Sequence, residues 1–243
     1  MSLFASALSF MRGSAATIAE LAAPKQCLMC GTSLAERTHR ISTACNACMA
    51  ALPPPPSPDE IFVRLAKNFA RDELAVSRCF SLTVYDETLP FSRMIRSLKY
   101  EQIASIGLEF GRETGETMRH LGIMEAEAIV PVPIHHARRR ERTYNQSELI
   151  GRGIAEKTGV PFLMHALMRR RYTTTQTRLN AEQRHSNLSG AFTAGRDSNL
   201  VHDKVVLLTD DVLTTGSTIN ACATALLSAG ARRVDVAVIA AAN

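Results

Sequence analysis

Apolar positions along this chain switch between two periods. The segments CFSLTVYD (79–86), AEAIVPVPI (126–134), VPFLMHALM (160–168), KVVLLTDDV (204–212) and RVDVAVIAA (233–241) are short apolar runs, and they predict strands. Between them, residues 88–100, 102–120, 145–159 and 218–230 predict helices. In the first of these, Leu89, Met94, Ile95 and Leu98 fall near helical spacing. The last two close at Gly159 and Gly230, residues suited to a left-handed helix terminus. Residues 170–190 are polar, basic and Thr-rich, and predict a mobile loop. Strands alternating with helices predict an α/β fold, a parallel sheet joined by right-handed crossovers and flanked by helices. Ligands of such sheets bind beyond the carboxyl ends of the strands.

The amino-terminal quarter follows a different rule. CLMCG (27–31) and CNAC (45–48) place four of the six cysteines in two close pairs. Cys27, Cys30, Cys45 and Cys48 can together surround one tetrahedral Zn²⁺, each pair supplying two thiolates from a knuckle turn. Gly31 suits the sharp turn after the first pair. Buried free thiols or a redox pair are the alternatives. A four-sulfur shell has no open position, which makes such a zinc structural and leaves His39 outside the shell. PPPPSP (53–58) reads as a stiff extended spacer. The expected organisation is therefore residues 1–58 as an amino-terminal helix, cysteine unit and linker, then residues 59–243 as the α/β domain. Residues 59–125 would supply leading helices and a hood over its site.

Composition narrows the class. At 243 residues, with 46% hydrophobic and 21% charged, the chain can bury a real core. It has no apolar run of membrane-spanning length, so membrane insertion is not expected. Arg12 and Glu20 interrupt the apolar first 26 residues, which argues for a short docked helix over a secretory signal. With Cys79 and Cys222 isolated in apolar stretches as small core residues, a cytoplasmic setting is expected. Net charge is +5, yet residues 130–190 hold eleven Lys/Arg against four acids, a local +7. That field suits a polyanionic partner such as a nucleotide, sugar phosphate or nucleic acid; a solvated basic face is the alternative.

The segment VVLLTDDVLTTGST (205–218) carries the most chemistry. An apolar strand ends in Asp210 and Asp211, and Thr214-Thr215-Gly216-Ser217-Thr218 then enters a helix. Gly216 lets backbone amides approach an anion, the hydroxyls can donate to phosphate oxygens, and the helix dipole points to the same place. The carboxylates one loop away suit vicinal hydroxyls or Mg²⁺. Pro131 and Pro133 stiffen the next strand exit. Arg138 and Arg142 offer planar forks to phosphate oxygens, and Asn145 and Gln146 could donate from the start of the following helix. Four consecutive basic and acidic positions cannot all face one ligand, so Arg139 and Arg140 are left unassigned, as are His135 and His136.

DDVLTTGST resembles the phosphoribosyl-pyrophosphate (PRPP) signature of type I phosphoribosyltransferases. VPVPIHHARRRERTYNQSELI (130–150) is similar to the ComF family's VPVPLHxxRxxxRGFNQxxxL. Residues 167–192 are similar to its LxRxRxTxxQxxLxxxxRxxNxxGAF, and Leu98-Lys99-Tyr100 and the paired cysteines match as well. The departures are Thr143 and Tyr144 in place of Gly-Phe. The resemblance implies catalytic carboxylates Asp210 and Asp211 on the ribose hydroxyls and a 5′-phosphate on Thr214–Thr218. It further implies Mg²⁺ bound with PRPP, displacement of pyrophosphate, and a flexible loop carrying Arg171, Thr173, Gln176 and Arg184. ComF proteins are associated with natural competence. The resemblance thus implies either a phosphoribosyltransferase or a PRPP- or nucleotide-sensing adaptor that meets single-stranded DNA or a DNA-import ATPase.

Overall fold

The computed structural model describes residues 25–34, 41–70, 73–134, 143–170 and 190–242. The chain divides after Ala51 into two compact units, upstream of the boundary expected at residue 58. Among its described residues the smaller unit has two turns and helix α1 (Asn46–Ala50). Short bridges Gln26 to Ser33 and Ile41 to Ala44 close the turns. Met29, Ile41 and Ala44 are buried there beside Cys27. The expected helix in the first 26 residues lies outside the described residues, apart from its last two positions.

The larger unit starts with the proline run, which is not a free spacer. The Thr83 hydroxyl donates to the Pro53 carbonyl at 2.8 Å. Pro58 is the first residue of helix α2 (Pro58–Ala66), where its missing amide costs nothing. Ser57 and Glu60 cap that helix reciprocally, through Glu60 N to Ser57 Oγ (3.2 Å) and Ser57 N to Glu60 Oε2 (2.7 Å). Strand β1 (Arg78–Tyr85) follows, then helices α3 (Phe91–Tyr100) and α4 (Ala104–His120) and strand β2 (Ala128–Pro131). Next come helix α5 (Gln146–Thr158), strands β3 (Leu167–Arg169), β4 (Phe192–Ala194) and β5 (Val205–Leu213), helix α6 (Ser217–Ser228) and strand β6 (Arg233–Ala242).

Among the described residues the main sheet has the order β1-β6-β5-β2 and every pairing is parallel. Strands β5 and β6 are buried on both faces, which explains their nearly unbroken apolar runs. Val206 and Leu208 of β5, with Val234, Val236 and Val238 of β6, share one core with Ile61 and Leu65 of α2 and Ile219, Cys222 and Leu226 of α6. Helices α4 and α5 pack on the sheet through the remaining positions, with the Thr209 hydroxyl donating to the Ser147 carbonyl (3.1 Å). Residues 59–125 thus supply an edge strand of the sheet as well as three helices.

The segment 160–168 differs from its expected strand. Phe162 alone bridges to Ile129 at the sheet edge. Leu167–Arg169 turns away into a separate antiparallel ribbon with Phe192–Ala194. There the Arg169 guanidinium lies 5.3 Å from the centre of the Phe192 ring, a cation–π contact. The expected loop falls between the arms of this ribbon, and its residues 171–189 lie outside the described residues.

The contact of α4 with α5 is unusually close. Gly107, Gly111 and Gly115 recur every four residues on α4; Gly107 faces the Leu149 side chain, and Gly111 and Gly115 face Gly153 and the Ile150 and Ile154 carbonyls of α5. A Cβ on Gly111 would overlap the Ile150 carbonyl oxygen, and one on Gly153 would overlap the Leu108 carbonyl oxygen. This spacing fixes where α5 begins, and its beginning forms one wall of the site described next. Among the described residues, no helix is long and apolar enough to cross a membrane.

Candidate functional site

The carboxyl ends of β5 and β2 and the starts of α5 and α6 converge on one place. Gly216 has φ of 77° and occupies the position just before α6, as its role in the turn requires. A side chain there would strike Leu65 of α2, so α2 lies directly over the turn. Gly216 provides no side-chain cap; the Ser217 amide donates to Thr215 Oγ1 (3.5 Å), and the rest of the first turn of α6 is left for a ligand. Thr214 is exposed, and Thr215, Ser217 and Thr218 are half-buried. The Thr215 and Ser217 hydroxyl oxygens lie 3.2 Å apart. Asn68 Nδ2 donates to the Thr215 carbonyl (3.2 Å). Asn220, buried in the first turn of α6, accepts from Ala75 N (2.7 Å) and donates to the Glu73 carbonyl (2.8 Å). The stretch after α2 is therefore bound to the loop through Asn68 and to the first turn of α6 through Asn220, two asparagines that no sequence motif marks.

Asp210 and Asp211 stand at the end of β5, as expected, but they are not equivalent. Asp211 Oδ2 lies 3.2 Å from Lys99 Nζ, and its Oδ1 accepts from Val212 N (2.7 Å). Asp210 Oδ1 accepts from Ser147 Oγ (2.8 Å) and Asp211 N (2.9 Å). Burial pushes the Asp210 carboxyl up to about 7, and the neighbouring Asp211 charge adds to this; Ser147, the Asp211 amide and Lys99 oppose it.

A carboxyl raised in the folded state is stabilising while protonated. That contribution is fully present below the ordinary carboxylate value and is lost as pH rises through about 7. Asp210→Asn should therefore gain stability over the parent as pH rises. The gap is expected to widen by more than about 1 kcal/mol between pH 5 and pH 8, read by urea unfolding at the two values. A gap independent of pH would refute it.

Asn145 and Gln146 do reach this place, but their amides serve the protein. Asn145 caps α5 by accepting from Ser147 N (3.2 Å), and its Nδ2 donates to the Val132 carbonyl (3.0 Å). Gln146 Nε2 donates to the Leu98 carbonyl (3.5 Å), which also accepts from Tyr144 OH (2.7 Å). Both are nearly fully buried, and these bonds build the wall of the site. Thr143 has φ of 65°, so a β-branched residue holds the left-handed conformation where the family pattern has glycine. His135, His136, Arg138, Arg139, Arg140, Arg142, Arg171, Thr173, Gln176 and Arg184 lie outside the described residues. Lys99 and Ser147 were missed as site residues. Lys99 had a signal in Leu98-Lys99-Tyr100, but nothing local to that tripeptide points to β5.

In the smaller unit, the sulfurs of Cys27, Cys30, Cys45 and Cys48 all lie within 4.8 Å of one another. The Cys30–Cys45 separation of 3.8 Å matches the edge of a sulfur tetrahedron with metal–sulfur bonds of about 2.3 Å. Gly31 has φ of 79° and its amide returns to the Cys27 carbonyl (2.8 Å). Cys45 precedes α1 and accepts from Cys48 N (3.4 Å), while Cys27 accepts from Cys45 N (3.4 Å). Hydrogen bonding by the Thr32 side chain, then by its backbone, pushes the Cys30 thiol down to about 6. This donor set is compatible with zinc. Cys79 and Cys222 are buried in the core of the larger unit, where burial pushes both thiols up.

Residues 138–243 match the family described as phosphoribosyl transferase domain. Competence protein F of Haemophilus influenzae is 37% identical over 110 residues, which cover 45% of this chain and 48% of that protein. The chain thus spans about half the length of that relative. DNA utilization protein YhgH is 33% identical over 159 residues in both Salmonella typhimurium and Escherichia coli K12, covering 64% of this chain and 69% of each relative. Among solved structures, the glutamine PRPP amidotransferase of B. subtilis complexed with ADP and GMP has a TM-score of 0.38 and 24% identity. It covers 55% of this chain and 26% of that one, an overlap too slight to carry an argument.

Proposed function

Because the chain belongs to the ComF family and carries a phosphoribosyl transferase domain of the type I fold, we propose that its β5 site binds PRPP. The observation that carries this reading is the convergence on one strand end of two acids, a glycine turn lined with hydroxyls and a helix start without a side-chain cap. The Thr214–Thr218 loop takes the 5′-phosphate through amides, hydroxyls and the α6 dipole. The acid pair Asp210/Asp211 serves the ribose 2- and 3-hydroxyls. Arg138 and Arg142 act as donors to the pyrophosphate, and Arg171, Thr173, Gln176 and Arg184 contribute further donors to anionic oxygens.

Hard carboxylate oxygens beside bound phosphates suit a Mg²⁺ ion, which supplies charge neutralisation to the pyrophosphate when present. Transfer then breaks the bond from ribose C1 to the pyrophosphate oxygen and forms one from C1 to an acceptor, and pyrophosphate leaves. Positive charge developing at C1 is offset by the fixed carboxylates, and no covalent protein nucleophile is required.

We further propose that the chain acts in the uptake or use of DNA, in a cytoplasmic setting. This follows the names of its relatives and suits the +7 stretch over residues 130–190. On that view the PRPP site serves either transfer or sensing, and a DNA strand or a DNA-import ATPase meets the basic stretch.

Hydrogen exchange tests the ligand reading. PRPP with Mg²⁺ should slow exchange of the amides from Thr215 to Ile219, while amides at the amino end of β6 stay unchanged. No protection in that loop would overturn the reading.

A further inference from the structure

The C-terminal turn of α3 touches both halves of the acidic site. The Leu98 carbonyl accepts from Tyr144 and Gln146, next to the Ser147 that holds Asp210. The following residue, Lys99, reaches Asp211 at 3.2 Å. This is a largely shielded pair, with the Lys99 side chain 25% exposed and that of Asp211 11% exposed. An ammonium at that distance in such surroundings interacts far more strongly than a surface pair does.

The two acids thus have different employment. Both oxygens of Asp211 are engaged, one by Lys99 and one by the Val212 amide. Both hydrogen bonds to Asp210 fall on its Oδ1, and among the described residues its Oδ2 accepts none. Two adjacent carboxylates repel, and a site that must keep one of them open needs a cation on the other.

We propose that Lys99 is a positioning residue for this site: by neutralising and fixing Asp211, it keeps Asp210 as the carboxylate with an oxygen open to the ribose hydroxyls. The inference rests on the PRPP reading above, and it assigns the two acids unequal roles. Asp210 contacts the ligand. Lys99 acts through Asp211 without touching the ligand. Removing the ammonium leaves Asp211 without its partner and the acid pair without its neutralising cation, which weakens the grip on a polyanionic ligand.

A double-mutant cycle on the full zinc-loaded chain tests this, with PRPP and Mg²⁺ titrated calorimetrically and thermal unfolding recorded alongside. Lys99→Met should weaken PRPP binding about tenfold, and Lys99→Arg should stay within about threefold of the parent. In an Asp211→Asn background, Lys99→Met should cost less than about threefold more, because the charge it served is gone. Asp210→Asn should weaken binding more than Asp211→Asn does. If Lys99→Met still costs tenfold beside Asp211→Asn, Lys99 touches the ligand itself and the positioning role is overturned. If Lys99→Met binds like the parent, or if its loss is matched by a loss of folded protein that Lys99→Arg fails to restore, the proposal is likewise overturned. A parent chain that binds no PRPP overturns both this inference and the reading on which it rests.

Discussion

A chelator strong enough to compete for zinc should melt the cysteine unit outright. The unit has few means of staying folded alone. Among its described residues the buried apolar side chains are Cys27, Met29, Leu34, Ile41 and Ala44, and its helix has five residues. A core of that size does not offset the conformational entropy of the chain that surrounds it. Binding of a structural zinc by four thiolates contributes on the order of 10 kcal/mol at neutral pH, which makes metal binding and folding one event. The purified chain should carry one zinc per molecule. After chelation, the amides of Leu28, Gly31 and Ala44, each bonded inside the unit, should exchange at the rate of an unfolded peptide. Amides of β5 should keep their protection. Cys45→Ser should reproduce the result without chelator. Protection that persists in a metal-free chain would show that the four thiols fold the unit unaided.

The second large effect is expected from a single methyl group. In an exposed helix interior, replacing glycine by alanine gains roughly 1 kcal/mol from propensity. At Gly111 the sign should invert. The added Cβ would overlap the Ile150 carbonyl and crowd Gly153, and these are backbone atoms that no rotamer change can move aside. Helices α4 and α5 must separate along their whole contact, which includes Gly107 and Gly115. Overpacking of this kind costs about 3 kcal/mol or more after the propensity gain is subtracted. For a chain of this size that corresponds to a fall in Tm of roughly 6–12 °C. Ser105→Ala on the exposed side of the same helix should change stability by no more than about 0.5 kcal/mol. Because α5 carries Ser147 at its start, Gly111→Ala should also disturb the Ser147–Asp210 hydrogen bond at 2.8 Å. A Gly111→Ala chain as stable as the parent would contradict the close packing.

Much of this architecture was legible in the sequence, and for identifiable reasons. Strands β5 and β6 are buried on both faces, so they appear as apolar runs that no surface pattern interrupts. Helix α5 is bounded by Asn145 and Gly159, both of which take the cap roles their side chains allow. The acid pair and glycine turn were legible because local sequence dictates that geometry, and the paired cysteines because ligand spacing does. The β3–β4 ribbon was not legible. Its arms have three residues each, too few to show a period, and its register depends on contacts across the intervening stretch. The proline run reads as an extended spacer, and its last residue, Pro58, opens α2. The Ser57–Glu60 capping box was present as a helix-start signal, but four prolines before it suggested an extended chain. The roles of Lys99, Asn145 and Gln146 were hidden for a different reason. A side chain's partner is set by tertiary proximity, and polar residues next to a binding motif can as easily build its wall as face its ligand. Asn145 and Gln146 bond to the Val132 and Leu98 carbonyls, which no local pattern encodes.

The central claim is that the carboxyl end of β5 holds PRPP. Calorimetric titration of PRPP into the zinc-loaded chain, with and without Mg²⁺, beside the double variant Asp210→Asn/Asp211→Asn, tests it most directly. The predicted result is saturable binding that needs Mg²⁺ and is lost in the folded double variant. Absence of heat and of saturation in a folded, zinc-replete parent chain would contradict it, and would leave the β5 loop as a turn without a phosphate to hold.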